Sequence, residues 1–243
     1  MIGLGTLVNT GAIIVGGIAG TLLRSGIPDK YKKTVMQGIG LSVLFIGIAG
    51  TIKEALVIID GNKLDRQFTM LMIFSLVIGG LIGEFLKIET RLENLGNWFQ
   101  TRIPSKGGSF SNGFVTASLV YCVGAMAIVG SLEDGLSGNA STLFAKSILD
   151  GVSAVIFGAT MGIGVAFSAL PVFIYQGAIT LLAGFVKPWL SDVVISQMSL
   201  VGGVLIFAIG INLLEIKKIN VGNLLPSIFI PPLYFIILKL LGI

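Results

Sequence analysis

One stretch of the chain, Gly151–Val186, reads GVSAVIFGATMGIGVAFSALPVFIYQGAITLLAGFV and has no charged side chain over 36 residues. A membrane-spanning helix needs about 20 apolar residues to cross roughly 30 Å of hydrocarbon, so this stretch is too long for one crossing. Within it, Pro171 is a natural first-turn residue for a new helix. We therefore predict two spans here, a fifth near Thr142–Phe167 and a sixth near Pro171–Val186.

The composition of the whole chain supports a membrane location. Of its 243 residues, 54% are hydrophobic and 12% are charged, and the mean hydropathy is +0.97, whereas soluble domains carry about 25% charged residues. The continuous apolar runs argue against a β-barrel, which needs short alternating segments. We predict an all-α polytopic membrane protein with eight spans, or seven if the sixth only re-enters. The six further charge-free runs are Ile2–Leu23, Thr34–Ile52, Phe68–Gly83, Ser109–Leu132, Val193–Leu214 and Ile219–Leu238.

Several classes of function are excluded by residue counts. The chain has one cysteine, Cys122, and no histidine, which excludes an intrachain disulfide, metal sites built on His or Cys clusters, and His-based catalytic triads. The net charge of +4 is spread over loops and suits a membrane flank better than nucleic acid. We expect no enzyme activity and no cofactor. The expected partners are the lipid bilayer and a small ion or polar solute, and a homo-oligomer is left open.

The distribution of Lys and Arg predicts the orientation, because cytoplasmic loops carry more of them. With the N-terminus outside, ten lie in inner loops and six on the outer side, and eight spans then place both termini outside a prokaryotic cytoplasmic membrane. The inner residues are Arg24, Lys30, Lys32, Lys33, Lys87, Arg91, Arg102, Lys106, Lys217 and Lys218, and the outer ones are Lys53, Lys63, Arg66, Lys146, Lys187 and Lys239. The inner loop Lys87–Ile103 places its apolar residues on one helical face, which predicts an amphipathic helix on the inner membrane surface.

Short internal similarities predict repeats. VGGIAGTLL in the first span matches IGGLIGEFL in the third, and GLSVLFIGI in the second matches GVLIFAIGI in the seventh. We predict a single transmembrane domain with a first helix pair (1–60), a repeat unit of helices three to five (61–170) and an inverted unit of helices six to eight (171–243). Inverted repeats are typical of transporters. Chance similarity among Gly-rich strings is the alternative, and the Gly-xxx-Gly spacings by themselves indicate helix packing.

Asp150 is the leading candidate for a functional site. It stands at the head of the uncharged stretch, and an ionisable group on a membrane helix is costly and usually faces a cavity or a partner. Lys146 lies one helical turn before it, so a local ion pair at the outer interface is the alternative. The prolines of the eighth span predict an interrupted helix there, and interrupted helices mark binding sites in transporters.

Other polar residues within the spans could line a path to Asp150. They are Asn9 in the first span, Tyr175 and Gln176 in the sixth and Asn212 in the seventh. Each could instead hydrogen-bond a neighbouring helix, a contact worth about 0.6 kcal/mol on average. The carboxylates at span ends are expected to lie at the solvated interface; they are Glu54, Glu84, Glu133, Asp134 and Glu215.

Several long strings resemble a bacterial inner-membrane family catalogued as domain of unknown function 554. They are GTLVNTGAIIVGGIAG, FVTASLVYCVGAMAIVGSLEDGL, KSILDGVSAVIF, GIGVAFSALPVFIYQGAITLLAG and VGGVLIFAIGINLLEIKKINVGNLLP. They are spread from Gly5 to Pro226, so the resemblance extends over nearly the whole chain. The resemblance implies a prokaryotic multi-span protein of the cytoplasmic membrane, often labelled a transporter, but it brings no substrate. Two hypotheses follow: a transporter or channel for a small ion or polar solute, and a non-transporting scaffold or assembly subunit whose polar groups only hold helices together.

Overall fold

The computed structural model describes residues 1–24, 28–59, 63–102, 110–122 and 125–241. Within these residues, seven helices are long and apolar enough to cross a membrane, and a bent pair of helices is an eighth candidate. The seven are Leu4–Leu23, Lys33–Ala55, Thr69–Leu86, Ser141–Met161, Gly164–Leu181, Asp192–Leu213 and Val221–Leu241. The predicted all-α polytopic fold is confirmed.

The bent pair corresponds to the predicted fourth span. It consists of Phe110–Cys122 and Met126–Ser137, whose axes differ by 62°. The sequence patterns gave no indication of this bend, because the apolar run Ser109–Leu132 is continuous through it.

The helices in chain order are α1 (Leu4–Leu23), α2 (Asp29–Ala55), α3 (Thr69–Leu86), α4 (Ile88–Arg102), α5 (Phe110–Cys122), α6 (Ala125–Ser137), α7 (Ser141–Met161), α8 (Gly164–Phe167), α9 (Ala169–Leu181), α10 (Ala183–Val186), α11 (Asp192–Leu213), α12 (Val221–Leu224) and α13 (Ile230–Leu241). Two 3-10 helices cover Lys187–Trp189 and Leu225–Phe229. Between α2 and α3 the chain forms an antiparallel hairpin of β1 (Leu56–Ile59) and β2 (Lys63–Arg66). This hairpin was not predicted.

The predicted start of the sixth span is wrong. The fifth span ends at Met161 because Gly162 adopts a left-handed φ of 89°, a conformation that suits glycine and stops a helix. The sixth span then begins at Gly164 rather than at Pro171. Pro171 does occupy the first turn of α9, but α8 precedes that turn and extends the span.

The chain divides into two compact units, and the first comprises Met1–Gly38, Thr90–Cys122 and Met126–Val186. In this unit α1 and α7 run in the same direction, because Gly5 faces Leu143 and Gly20 faces Val155. Two parallel spans must be separated by an odd number of crossings. The candidate spans that the described residues place between them are α2, α3 and the bent α5–α6 pair, so an odd number requires the pair to count as a crossing.

The course of α5 and α6 within the first unit agrees with that count. Gly164 at the start of α8 faces Phe110, the first residue of α5. Gly135, near the end of α6, faces Thr180 at the other end of the unit. The pair therefore runs the length of the unit, and so does the sixth span between Gly164 and Thr180. These directions support counting the bent pair as an eighth candidate span.

The second unit comprises Ile39–Glu89, Val123–Ala125 and Lys187–Ile243. Its close contacts are made at glycines: Gly47 of α2 faces Phe207 of α11. Gly79 and Gly83 of α3 face the start of the eighth span, where the predicted interruption is confirmed as the 3-10 helix Leu225–Phe229 between α12 and α13. Small residues allow backbones to approach closely where lipid offers no hydrophobic driving force.

The predicted amphipathic segment is a helix, α4. It is separated from α3 by Lys87, whose φ of 52° ends α3. The last residue of the predicted segment, Ile103, lies outside the described residues. The position of α4 on the inner membrane surface stays a prediction.

Candidate functional site

Asp150 and Lys146 form an ion pair inside the fifth span. Lys146 Nζ donates to Asp150 Oδ1 at 2.9 Å and to Oδ2 at 2.7 Å, and both residues are 7% exposed. Asp150 is the tenth residue of α7, which at 1.5 Å per residue places it about 14 Å along the helix. That depth is near the middle of a hydrocarbon core of roughly 30 Å. The local ion pair that the sequence left open as an alternative is therefore present, and it lies near the middle of α7 rather than at its end.

Two further predicted residues join this pair. Asn9 Nδ2 of α1 donates to Asp150 Oδ2 at 3.1 Å and to Gln176 Oε1 of α9 at 3.3 Å. Both Asn9 and Gln176 are 0% exposed. Asn9, Lys146, Asp150 and Gln176 thus form one hydrogen-bonded cluster on three helices of the first unit, which we call the polar cluster.

The polar cluster can form because α1 and α7 approach closely. A Cβ atom added at Gly16 would meet the carbonyl oxygen of Gly151, and one added at Gly20 would meet that of Val155. The glycine spacing of the first span is therefore used for packing, as predicted. Gly158 and Gly162 in the fifth span also have the Gly-xxx-Gly spacing, but Gly162 ends α7.

The polar cluster leaves two buried polar atoms without a hydrogen-bond partner. They are Asn9 Oδ1 and Gln176 Nε2, an acceptor and a donor. Turning the Asn9 amide over would place its oxygen against Asp150 Oδ2, which an ionised carboxylate disfavours. The orientation of Asn9 is therefore tied to the charge of Asp150.

A second polar layer lies toward the N-terminal end of α1. Thr6 Oγ1 of α1 and Thr180 Oγ1 of α9 lie 3.5 Å apart, and both side chains are buried. At the end of the unit, Asp134 of α6 accepts from the backbone N–H groups of Gly3 at 3.1 Å and Gly5 at 3.0 Å. An acidic side chain at a helix N-terminus is stabilised by the unpaired amide groups and the helix dipole.

Asp134 therefore corrects one prediction. It was expected at a solvated interface, but it is 0% exposed and caps α1. Of the other carboxylates placed at span ends, Glu133 accepts from Thr142 at 2.7 Å and Glu84 accepts from Asn223 at 2.6 Å. One feature of the sequence could have indicated this role for Asp134. Gly3 and Gly5 have no side chain, so the first amide groups of α1 are accessible to an acidic partner.

Two predicted site residues do not join the polar cluster. Tyr175 is only half-buried, and the hydrogen bonds of the cluster among the described residues do not include it. Asn212 belongs to the second unit, where its amide closes the turn between the seventh and eighth spans. Its Nδ2 donates to Ile219 O at 2.8 Å and its Oδ1 accepts from Ile219 N at 2.8 Å. Asn212 is therefore a loop-closing residue in this structure, and its role as a binding residue stays a prediction.

The chemistry of the polar cluster is that of a buried, neutralised ion pair. Desolvating two charges costs several kcal/mol each, so such a pair is weak evidence for stability and is a default functional hypothesis within a membrane. Among the described residues, no group of three or more His, Cys, Asp or Glu side chains could hold a metal ion.

Comparison with known proteins places the chain in a family. It is 34% identical to "Uncharacterized membrane protein YdfK" of Bacillus subtilis (strain 168) over 239 residues, which cover 98% of each chain. It is 29% identical to "Uncharacterized protein YqgA" of Escherichia coli (strain K12) over 232 residues, covering 93% of this chain and 94% of that protein. No solved structure matches. The family described as "Protein of unknown function (DUF554)" matches residues 4–236, and the chain belongs to this family of membrane proteins.

Proposed function

We propose that this protein is a membrane transporter or channel for a small ion or polar solute, with Asp150 as the group that binds a cation or a proton. The observation that carries the proposal is the ion pair of Lys146 and Asp150 near the middle of the fifth span. A carboxylate at that depth is costly, and replacing such a pair with apolar side chains is often neutral or stabilising. Stability alone therefore gives little reason for the pair.

In the proposed mechanism, Lys146 neutralises Asp150 at rest. A cation that reaches Asp150 takes the place of the ammonium group, which lies 2.7 Å from Oδ2. Asn9 stays bonded to the same carboxylate oxygen and holds it in place. Transport then needs the site to open to each side of the membrane in turn. The predicted inverted repeats, helices three to five and helices six to eight, would allow this, because exchanging the conformations of two inverted repeats converts an inward-open state into an outward-open one.

The alternative is a scaffold or assembly subunit. It is favoured by the way the polar cluster joins α1, α7 and α9 through hydrogen bonds, which could serve only to fix their register. The scaffold hypothesis predicts that neutralising the cluster leaves every measurable activity of the protein unchanged. The transport hypothesis predicts that the same change abolishes ion movement.

The experiment that separates them is an ion-flux assay on the purified full chain in liposomes. Uptake of H+, Na+ and K+ is measured for the wild type, for protein-free vesicles, and for the charge-neutral double variant Lys146→Met/Asp150→Asn. We expect the wild type to take up at least one of these ions faster than both controls. Equal rates for the wild type and the double variant with all three ions would contradict the proposal.

We further propose that both termini lie outside. The structure moves Lys146 from the outer loops into a span, so the predicted bias of ten inner to six outer basic residues becomes ten to five and keeps its sign. In a Cys122→Ala background, we expect Lys63→Cys in the exposed strand β2 to react with a membrane-impermeant maleimide on intact cells. Thr101→Cys in α4 should react only after the membrane is opened.

These two positions are both exposed, so they form a matched pair that differs only in the predicted side. Ser105, in the same inner loop as Thr101, lies outside the described residues. Labelling of Thr101→Cys on intact cells would show that α4 lies outside and would contradict the proposed orientation.

A further inference from the structure

Three polar atoms of the first unit still have a hydrogen bond to make, and they lie on three different helices. They are Asn9 Oδ1 on α1, Ser131 Oγ on α6 and Gln176 Nε2 on α9, and each of these residues is 0% exposed. Buried polar groups are nearly always paired, with protein or with bound water. Three such atoms in one unit therefore point to a ligand that pairs with them.

Ser131 differs from other buried serines in the same unit. Ser118 and Ser147 each donate to the carbonyl group four residues earlier in their own helix, at 2.6 and 2.7 Å, which is the usual local bond of a helical serine. Ser131 makes no such bond. Its hydroxyl group is therefore buried in the unit with a hydrogen bond still to make.

The register of the helices places Ser131 next to the polar cluster. Asp134 binds the amide of Gly5 and Gly135 faces Thr180, so the end of α6 is level with the start of α1 and the end of α9. One turn deeper into the unit, α6 presents Ser131. The residues one turn deeper on the other two helices are Asn9 and Gln176.

Ser131 therefore completes a continuous line of polar side chains. We call it the polar column and define it as Thr6, Asn9, Ser131, Gln176 and Thr180. It begins below Asp134 at the N-terminal end of the unit and ends at Asp150. The sequence gave no hint of Ser131, because a single serine in an apolar span is more often bonded to its own helix.

The unpaired atoms of the polar column match water. Asn9 Oδ1 accepts, Gln176 Nε2 donates and Ser131 can do either, while a buried water makes about three hydrogen bonds as donor and acceptor. A solvated metal ion fits less well, because the only carboxylate at the inner end of the column already accepts from Lys146 and Asn9. Protons, by contrast, pass along water and hydroxyl groups without further ligands.

The polar side chains of the column lie on one side of Asp150 only, toward the start of α1 and the end of α9. Beyond Asp150, α1 and α7 touch through Gly16 against Gly151 and Gly20 against Val155, and Ala154 between them is 0% exposed. These contacts are made by glycine, alanine and backbone atoms, so within the part of the chain that the structure describes the column does not continue past Asp150 between the two helices. Access to Asp150 along the column therefore comes from the side of the N-terminus.

We propose that the polar column holds water and is a proton half-channel that connects the N-terminal side to Asp150, so that the proton is the cation exchanged at this site. The inference rests on the proposed function and names its ion. A hydronium ion at the N-terminal side gives one proton to the water in the column, and the water beside Asp150 passes one proton to a carboxylate oxygen. Each water breaks one O–H bond and forms another, no hydroxide is left, and the negative charge of Asp150 is lost. The ammonium group of Lys146 is then buried without a counter-charge, which disfavours this arrangement and favours the next state of the cycle.

Other titratable groups near Asp150 are few. Lys146 on α7 faces it directly, Tyr121 and Cys122 lie on α5, and Tyr175 lies on α9. Helix α1 faces it with the neutral Asn9, and Asp134 of α6 stands at the far end of the polar column.

The first test measures water access without relying on flux. In a Cys122→Ala background, Ser131→Cys and Thr180→Cys are treated with a small charged methanethiosulfonate from the N-terminal side. We expect both to react, whereas Ala154→Cys, which is equally buried but lies beyond Asp150, stays unreacted. Ser131→Cys is nearly isosteric and keeps the test open if Thr180→Cys fails to fold. Column cysteines as unreactive as Ala154→Cys would overturn the inference.

The second test measures proton movement in liposomes with a trapped pH-sensitive dye. We expect Ser131→Ala and Gln176→Leu to slow proton uptake by about tenfold, the equivalent of roughly one lost hydrogen bond. Ser118→Ala, a buried serine outside the polar column, should not change it. If Na+ or K+ flux depends on Asp150 while protons do not move, the half-channel is wrong and the proposed function stands. If no ion moves in the wild type, both fail.

Discussion

The charge-neutral double variant Lys146→Met/Asp150→Asn is expected to fold about as stably as the wild type, whereas each single substitution destabilises the protein strongly. Either single change leaves one charge buried near the middle of a span without its partner, and breaking a buried pair in this way costs about 3–5 kcal/mol. The double change removes both charges. Replacing a buried pair entirely is often neutral or stabilising.

The chosen side chains keep the remaining contacts. Asparagine at 150 still accepts the hydrogen bond from Asn9, and methionine at 146 keeps the length of the lysine stem without its charge. Unfolding of the three variants is followed in detergent by tryptophan fluorescence. Single variants as stable as the wild type would show that the pair is solvated and not buried, which would also remove the physical argument for its function.

The same variants separate function from structure. A purely structural pair predicts that the double variant, once folded, behaves like the wild type in every flux assay. The proposed transporter predicts a folded protein that moves no ion. Asp150→Asn alone cannot decide this, because the unpaired Lys146 ammonium group could abolish flux simply by distorting the polar cluster.

Much of the fold followed from elementary patterns in the sequence. Charge-free runs of about 20 residues located the spans because each one must cross the same thickness of hydrocarbon. The split of Gly151–Val186 was correct for the same reason. Its position was not, since the choice of Pro171 overlooked Gly162, whose backbone conformation is visible only in three dimensions.

The polar cluster was predictable only in part. We chose Asn9, Lys146, Asp150 and Gln176 because a polar side chain is costly in a membrane. The cost falls when such side chains pair with one another inside the helix bundle, as these four do. Asn212 obeys the same rule, yet it satisfies its amide with a nearby loop. Hydropathy cannot distinguish these cases. The partner depends on which helices pack together, and α1 packs on α7, more than 100 residues away in the chain.

Gly20→Ala is expected to destabilise the protein by roughly 3 kcal/mol or more, at the upper end of the cost of overpacking. An added Cβ atom would overlap the carbonyl oxygen of Val155 and the backbone nitrogen of Ala159. Backbone atoms cannot turn aside as a flexible side chain can, so α1 and α7 must separate. Thermal unfolding in detergent measures the loss, and separation of the helices should also weaken the bond between Asn9 and Asp150.

Gly11→Ala is the matched control on the same helix, because a Cβ atom there meets nothing within 4 Å. It should be neutral or stabilise the protein by up to about 1 kcal/mol, the difference in helix propensity between glycine and alanine. Equal effects at Gly11 and Gly20 would contradict the packing argument.

The glycines that suggested a repeat between the first and third spans give a further comparison. Gly83, the counterpart of Gly20, also faces backbone, that of Asn223, so Gly83→Ala should be as harmful as Gly20→Ala. Gly17 and Gly80 correspond as well, but Gly17 faces the backbone of Ala166 whereas Gly80 faces only the end of the Leu224 side chain at 3.2 Å. We therefore expect Gly17→Ala to be harmful and Gly80→Ala to be tolerated. Equal losses of stability in Gly17→Ala and Gly80→Ala would contradict this difference between backbone and side-chain contacts.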